Sequence, residues 1–318
     1  MAKQEVVLGI DTSCYTTSVA VMALDGTLLE DRRKLLTVGP GKCGLAQSEM
    51  VFQHTRNLPE LVGGIDFTDL TVKAVGATNQ PRPLAQSYMP AFLTGWGLAQ
   101  NLGKVLCAPA YPLSHQENHL QAGLWSAQGP QAPRFLMLHA SGGTTDILLV
   151  EMAATKKVKL TTVGESIDLH AGQFVDRVGV ALGLAFPAGP ALEKLAENGQ
   201  GTITLPVWVK DNKVSFSGVC TKAVRMAEQG ADKTELALAT ELALGKALGK
   251  VLGNICQDYK LEAVLLVGGV SANELIRTLI TKTLAQQKVK TYVPAPRYSG
   301  DGAVGAAFYA LQQVRKDI

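Results

Sequence analysis

Apolar and polar positions follow one pattern twice along the chain. The first stretch has short apolar runs at residues 6–10 and 18–22, and Asp25-Gly26 is a strong hairpin signal. It predicts three strands joined by two turns. Residues 133–166 repeat this order, and aligning Thr16 with Thr144 gives an offset of 128 residues. This spacing is too long for a solenoid repeat and indicates a duplicated lobe.

Helical periodicity and buried apolar runs alternate in the rest of the sequence. Apolar residues at helical spacing predict helices at 45–62, 91–103, 170–183, 189–198, 232–258 and 271–286, and near the C-terminus after residue 303. Continuous apolar runs predict strands at 72–78, 105–109 and 263–269. Strands that alternate with helices favour an α/β protein with a mixed sheet in each lobe.

This organisation resembles the two-lobed fold of actin-like ATPases, sugar kinases and heat-shock ATPases, with a duplicated mixed sheet and an interlobe cleft. We predict an N-terminal actin-like lobe at 1–112 and a second lobe with a nucleotide-contacting segment at 113–293. Residues 294–318 then form a C-terminal segment that brings Asp301 to the cleft and ends in a helix.

Glycine-rich turns follow several predicted strands, at Ser141-Gly142-Gly143, Gly268-Gly269 and 299–302. Glycine lets backbone N–H groups approach an anion, and a helix that starts after the turn adds partial positive charge. Three such turns suggest a nucleotide phosphate site, although packing explains any one of them equally well. The sequence has neither a Walker A motif nor GxGxxG.

Two histidines, His115 and His119, are four residues apart in "SHQENH". On a helix they share one face, so both could bind one metal ion, or they could cap neighbouring carbonyl groups. Asp301 could complete a set of two histidines and one carboxylate, which suits iron, zinc or manganese. The spacing alone leaves these alternatives open.

Composition narrows the class of protein. The 318 residues are 47% hydrophobic and 18% charged, with a net charge of +3, which predicts a globular protein without a strong bias towards nucleic acid. The five cysteines include no CxxC pair, so we expect a reducing, cytoplasmic location and no disulfide framework. No run approaches the ~18 apolar residues that a membrane span needs.

Seven motifs occur in an order that resembles the universal tRNA N6-adenosine threonylcarbamoyltransferase family, historically called the glycoprotease or O-sialoglycoprotein endopeptidase family. The N-terminal half carries "GIDTSC" (9–14), "SHQENH" (114–119) and "SGGTT" (141–145). The rest are the long segment at 164–190, "VSFSG" (214–218), "VGGVSAN" (267–273) and "SGDGA" (299–303).

The resemblance implies one divalent metal per chain, iron or zinc, with His115, His119 and Asp301 as ligands. It also implies an adenine nucleotide or acyl-adenylate bound by the backbone and side chains of Ser141, Gly142, Gly143, Asp176, Gly189 and Asn273. In this set the serine and first two glycines would contact phosphate and the aspartate would hold the ribose hydroxyls. In the family, threonylcarbamoyl-adenylate donates its threonylcarbamoyl group to an adenosine of tRNA.

The sequence departs from the family pattern on the acceptor side. An Asp-Glu pair that follows "TSC" in the family is Tyr15 and Thr16 here, and neither is a useful base near neutral pH. The histidine of the family's SGGHT is Thr144, and the lysine of SGLKT is Cys220. The catalytic residues therefore stay unidentified, and the chain resembles a divergent paralogue.

Two functions remain open from the sequence. One is a metal-dependent transferase that moves a carbamoyl or threonylcarbamoyl group from an adenylate, with tRNA as a candidate partner. The other is a catalytically reduced, nucleotide-binding paralogue that acts through protein partners, forming a homo- or heterodimer through its N-lobe helices. A peptidase is disfavoured because Glu117 lies within HQENH and no HExxH is present.

Overall fold

The computed structural model describes residues 3–39, 44–153 and 158–316, and the chain divides into two compact units. Unit 1 comprises Met1–Ser126 and Asp301–Ile318, and unit 2 comprises Ala127–Gly300. These boundaries follow from packing. The segments 1–112, 113–293 and 294–318 were drawn from the placement of motifs and stay a prediction about domain organisation.

The sheet of unit 1 has the strand order β3-β2-β1-β4-β5. Its strands are β1 (Gln4–Asp11), β2 (Thr16–Ala23), β3 (Leu28–Leu35), β4 (Leu70–Gln80) and β5 (Ala110–Ser114). The first three form an antiparallel meander, whereas β4 is parallel to β1 and β5 is parallel to β4. The predicted hairpins and the strand at 72–78 are confirmed.

Helices cover both faces of this sheet because its central strands, β1 and β2, are buried at successive positions and not only at alternate ones. The helices are α1 (Gln47–Gly63), α2 (Pro90–Val105), α3 (His115–Ala127) and the C-terminal α10 (Val304–Val314). Val6, Leu8 and Ile10 pack in one apolar cluster with residues of α1 and α2. The intervening Gly9 lies against α10, as expected from the two-residue period of a strand.

Unit 2 repeats the same arrangement and extends it. Its strands are β6 (Arg134–Ala140), β7 (Thr145–Met152), β8 (Val158–Ser166), β9 (Trp208–Lys210), β10 (Lys213–Ser215), β11 (Ala263–Val267) and β12 (Lys290–Tyr292). The order β12-β11-β6-β7-β8 has the directions found in unit 1, and β10 and β9 extend its edge. The predicted duplication is therefore visible in the topology of each unit.

The helices of unit 2 enclose an apolar core that includes much of its longest helix, α7. They are α4 (Ala171–Ala181), α5 (Gly189–Ala196), α6 (Ser217–Glu228), α7 (Lys233–Tyr259), α8 (Glu274–Ala285) and α9 (Pro296–Ser299), with a 3-10 helix at Gly269–Ala272. Asp232 caps α7 by accepting hydrogen bonds from the amides of Thr234 and Glu235. Among the described residues, none of the helices is both long and apolar enough to cross a membrane.

One predicted strand is wrong. The apolar run at 105–109 forms the end of α2 and the turn that follows it, and β5 starts only at Ala110. Leu106 continues the helical bonding by donating to the carbonyl of Leu102, and Cys107 then takes a left-handed φ of 51°. A run of five residues is too short for periodicity to separate a strand from a helix end.

Candidate metal and nucleotide sites

The helix that carries the two histidines begins with a capping box. Ser114 donates from its amide and its hydroxyl to Glu117 Oε2, at 2.7 Å in both cases, and Glu117 donates its amide to Ser114 Oγ at 3.2 Å. The "SHQE" sequence thus starts α3 directly after β5. Since the carboxylate of Glu117 is occupied by this cap, it is not placed as the general base of a peptidase.

His115 and His119 lie on one face of α3, one turn apart. Their ring centroids are 4.5 Å apart at an interplanar angle of 78°, and both side chains are buried. His119 Nε2 lies 3.3 Å and His115 Nε2 lies 3.8 Å from Asp301 Oδ1. The three residues that the sequence singled out as ligands therefore come together within unit 1.

Close contacts of α10 with the sheet bring Asp301 to the histidines. A Cβ on Gly76 would collide with the carbonyl oxygen of Ala306, and one on Gly305 would collide with the carbonyl oxygen of Asn118 in α3. Asn118 Nδ2 also donates to the carbonyl of Gly302 at 3.0 Å. Glycine at these positions lets the backbones approach, and this approach fixes the loop before α10.

Arg33 of β3 holds the same loop from another side. Its Nη1 donates to the carbonyl oxygen of Asp301 at 3.2 Å, and its Nε pairs with Asp31 Oδ1 at 2.9 Å. A Cβ on Gly302 would come within 2.7 Å of the guanidinium carbon. No local sequence pattern connects Arg33 with Asp301, because the two are 268 residues apart.

Protonation in this cluster is compatible with metal binding, which needs neutral imidazole and ionised carboxylate. Burial, reinforced by His119, lowers the pKa of His115 to about 3. Burial acts to raise the pKa of Asp301, but the hydrogen bond to His119 and the nearby His115 and Arg33 outweigh it, and the pKa is lowered to about 2. Near neutral pH, His115 is therefore neutral and Asp301 is ionised.

The spacing of these atoms also fits a metal ion. Tetrahedral zinc with nitrogen and oxygen ligands at about 2.0–2.2 Å has ligand atoms about 3.3–3.6 Å apart along the edges of the tetrahedron. The distance from His119 Nε2 to Asp301 Oδ1, 3.3 Å, falls in this range, and the distance from His115 Nε2, 3.8 Å, exceeds it slightly. The donor set of two imidazoles and a carboxylate is one that iron and zinc both accept, and metal binding by these residues stays a prediction.

In unit 2, the predicted phosphate turn lies where β6 ends. Ser141 donates its amide to the carbonyl of Thr144 at 2.8 Å, which closes the turn between β6 and β7. Gly172, in the first turn of α4, donates its amide to the carbonyl of Ser141 at 3.1 Å, and a Cβ there would come within 2.6 Å of the amide nitrogen of Gly142. The start of α4 therefore lies directly against the turn, in an arrangement that favours an anion.

The end of the neighbouring parallel strand, β11, lies beside this turn. Gly268 has a φ of 94°, and a Cβ there would collide with the carbonyl oxygen of Ala140. Ligands of α/β sheets bind beyond the carboxyl ends of such strands. The turns at 141–143 and 268–269 thus share one sheet edge, as the strand pattern predicts.

Asp176 and Gly189 are also brought together. Asp176 Oδ1 on α4 accepts a hydrogen bond from the amide of Ala188 at 2.8 Å, and Gly189 is the next residue, where α5 begins. Burial raises the pKa of Asp176, although the bond from Ala188 acts in the opposite direction. Its role towards ribose stays a prediction.

Both the oxygen and the nitrogen of the Asn273 side-chain amide form hydrogen bonds within unit 2. Its Oδ1 accepts from the amide of Ile276 at 2.9 Å and caps α8, and its Nδ2 donates to Glu241 Oε1 at 2.8 Å. Contact with a nucleotide through this side chain would therefore have to replace or share one of these bonds. The sequence did not predict Glu241, because it lies inside an Ala/Leu-rich helix whose buried face depends on packing.

Asp168 was also missed, although it lies in the predicted nucleotide segment. Its carboxylate accepts from the hydroxyl groups of Ser215 and Ser217, at 2.6 and 2.5 Å, and from the amide of Phe216 at 2.9 Å. Partial burial acts to raise its pKa, but these donors outweigh it and hold the pKa below its usual range. The side chain thus ties "VSFSG" to the segment that leads into α4.

We expect Asp168→Ala to lower the free energy of unfolding by about 1–2 kcal/mol, because several donors lose a charged acceptor at a site that water partly replaces. Urea unfolding measures the change. Asp258→Ala is the matched control, since Asp258 is also exposed and accepts a long bond of 3.4 Å from Asn212 Nδ2. Equal effects of the two substitutions would contradict the assigned role of Asp168.

Tyr15 and Thr16, where the resemblance implies an acidic pair in the family, belong to the packing of unit 1. Tyr15 packs against a small apolar cluster of Leu36, Met50 and Ala91, and Thr16 is buried as the first residue of β2. The Tyr15 carbonyl accepts from the amide of Leu36 at 2.8 Å. Both positions therefore contribute to the packing of unit 1.

Comparison with solved structures supports the predicted fold. HypF from T. kodakarensis superposes with a TM-score of 0.64 at 15% identity, over 99% of this chain and 48% of that one. Component A of (R)-2-hydroxyglutaryl-CoA dehydratase from Acidaminococcus fermentans gives 0.59 at 15% identity, over 98% and 99% of the two chains. A ROK family glucokinase from Streptomyces griseus gives 0.56 at 14% identity, over 96% and 99%. The actin-like and sugar-kinase fold class is confirmed.

Comparison with protein sequences identifies the family. The chain is 30% identical to the tRNA N6-adenosine threonylcarbamoyltransferase of Aromatoleum aromaticum, over 95% of this chain and 89% of that protein. It is 27% identical to the enzyme of that name from Thermosipho africanus, over 98% and 96%. Residues 85–308 match the family model TsaD, described as tRNA N6-adenosine threonylcarbamoyltransferase. The chain belongs to this family of transferases, as its motifs predict, and not to a family of peptidases.

Proposed function

We propose that this protein is a metal- and nucleotide-binding transferase that moves a threonylcarbamoyl or related carbamoyl group from an adenylate to an acceptor. Adenosine in tRNA is the first acceptor to test, because the relatives carry that activity in their names. The proposal includes one iron or zinc ion per chain. A cytoplasmic location and pairing through α1 and α2 with a second copy or a homologue are part of it.

One observation carries the proposal: ring nitrogens of both imidazoles of α3 lie within 3.8 Å of the carboxylate of Asp301 in a chain of this family. Burial keeps His115 neutral, and neutral imidazole is the form of histidine that binds metals. A two-histidine, one-carboxylate set leaves coordination positions open for a substrate group. A purely structural metal site is normally closed by four protein ligands.

The nucleotide would be held by unit 2 at the edge formed by the ends of β6 and β11. Backbone amides of Ser141, Gly142 and Gly143 and the start of α4 would bind phosphate, since the N-terminus of a helix favours anions. Asp176 would accept hydrogen bonds from ribose hydroxyls, with Gly189 leaving room beside it. Asn273 would contribute through the amide that now pairs with Glu241.

In the proposed reaction, an acceptor nitrogen attacks the carbamoyl carbon, the bond from that carbon to the phosphate oxygen breaks, and AMP leaves. A bound metal ion would supply Lewis-acid polarisation of an oxygen that gains negative charge. The attacking nitrogen loses one proton. Tyr15 and Thr16 offer no base for it, so the proton passes to solvent or to the departing phosphate in this proposal.

The test incubates purified protein with threonylcarbamoyl-adenylate and unmodified tRNA and measures modified adenosine by mass spectrometry. We expect product from the wild type and its loss in His115→Ala, with an active family member as positive control. Absence of product beside an active control would remove tRNA adenosine as the acceptor. Release of AMP without modified tRNA would point to a different acceptor.

The packing of Tyr15 supports a second candidate function, a nucleotide-binding paralogue with little catalysis. The Tyr15 side chain packs in an apolar cluster at a position where the resemblance implies a carboxylate. Under this alternative, position 15 stabilises the fold and takes no part in catalysis. Under this alternative the chain binds adenylate and metal but releases no AMP above the level of His115→Ala. Calorimetric titration with the adenylate, together with the AMP assay, separates the two functions.

A further inference from the structure

We propose that Cys14 is an additional ligand of the metal site and that the site therefore selects zinc, or another metal with affinity for sulfur, over iron or manganese. The inference rests on the proposed metal site and goes beyond it. The family resemblance implies only His115, His119 and Asp301 as ligands, and Cys14 enters it only as the last residue of "GIDTSC".

Distances place Cys14 within the ligand cluster. Its Sγ lies 3.9 Å from His115 Nε2, and ligand atoms of Cys14, His115 and Asp301 all lie within 4.8 Å of one another. With a metal–sulfur bond of about 2.3 Å and a metal–nitrogen bond of about 2.0 Å, sulfur and nitrogen ligands of a tetrahedral ion lie about 3.5 Å apart. A small shift of the two side chains would bring the observed separation of sulfur and nitrogen to this value.

The backbone around Cys14 is fixed on both sides of the thiol. Its carbonyl oxygen lies 3.1 Å from Nε2 of the buried His54. Ser13 donates its amide to Asp11 Oδ1 at 3.1 Å, and the carbonyl of Tyr15 accepts from Leu36 at 2.8 Å. Packing of Tyr15 in its apolar cluster adds a further anchor. The thiol is thus presented to His115 by a rigid turn, which lowers the entropic cost of coordination.

Coordination would replace the thiol proton with a metal–sulfur bond, the proton would go to solvent, and no oxidation state would change. A thiolate and a carboxylate together neutralise a divalent ion, and thiolate ligands favour zinc over the metals that prefer oxygen. With Cys14 the protein would supply four ligands, so a substrate oxygen would reach the metal as a fifth ligand or by displacing one of the four.

Cobalt(II) substitution tests the inference without reference to activity. We expect a thiolate-to-cobalt charge-transfer band in the near ultraviolet for the wild type and for Cys220→Ser, whose cysteine is buried in unit 2. Cys14→Ser should lose that band but keep the visible d–d bands. Zinc affinity should fall by more than the ~10–100-fold that changes outside the first ligand shell cause.

The outcomes separate this inference from the proposed function. Stoichiometric cobalt with d–d bands but no charge-transfer band in the wild type would overturn Cys14 and leave the His and Asp ligands standing. A wild type that binds neither cobalt nor zinc would overturn the metal site as a whole. If Cys14→Ser does not fold, X-ray absorption of the zinc-loaded wild type decides, since a sulfur at about 2.3 Å is required.

Discussion

Asp301→Ala is expected to abolish metal binding while the chain stays folded. Its carboxylate is the group that lies close to both imidazoles, at 3.3 Å from His119 and 3.8 Å from His115. Losing it removes the anionic oxygen that two neutral histidines cannot replace. Since Arg33 contacts the main-chain carbonyl of residue 301, that hydrogen bond survives the substitution.

Metal content after dialysis, measured by mass spectrometry of the element, checks this expectation. We expect about one equivalent in the wild type and less than a tenth of that in Asp301→Ala, because loss of a direct ligand exceeds the ~10–100-fold effect of outer-shell changes. Asp66→Ala is the matched control, since Asp66 is exposed and caps a turn at Thr68. Undiminished metal in Asp301→Ala would exclude Asp301 as a ligand.

The helical half of the metal cluster could be predicted from the sequence, and Asp301 could not be placed from local pattern. Ser114 and Glu117 form a capping box, so the start of α3 and the shared face of the histidines follow from residues within one turn. Asp301 reaches them because Gly76 and Gly305 allow α10 to approach β4 and α3. Only its place in "SGDGA" and the family resemblance pointed to it.

The same contrast holds in unit 2. Strand ends and glycines predicted the turn at 141–143, because the carboxyl ends of parallel strands meet at one sheet edge. No local pattern predicted the hydrogen bonds of Asp168 and Glu241, because the donors to these carboxylates are distant in the chain. Asp168 meets Ser215 across 47 residues, and Glu241 meets Asn273 across 32. Hydrogen bonds of this range depend on the packed fold.

Glu241→Gln should make the protein more stable at pH 8 and leave its stability near pH 4.5 almost unchanged. Burial raises the pKa of Glu241 from 4.5 to about 7, and Glu193 and Glu197 add repulsion, although the bond from Asn273 acts in the opposite direction. The folded state therefore keeps a proton that the unfolded state loses between these values. The contribution of protonated Glu241 to the free energy of unfolding is fully present below about pH 4.5 and is lost as the pH rises to about 7.

Glutamine keeps the acceptor oxygen for Asn273 and carries no charge, so the variant escapes this loss. A difference of about 2.5 pKa units corresponds to at most about 3 kcal/mol at pH 8. Urea unfolding from pH 4.5 to 8 measures the difference between variant and wild type, which should grow up to about pH 7 and then stay level. Glu228→Gln, at an exposed position on α6, should give a flat difference over this range. If the stability difference between Glu241→Gln and the wild type is also independent of pH, Glu241 ionises as readily in the folded protein as in the unfolded chain. Asn273 would then donate to a carboxylate that water solvates.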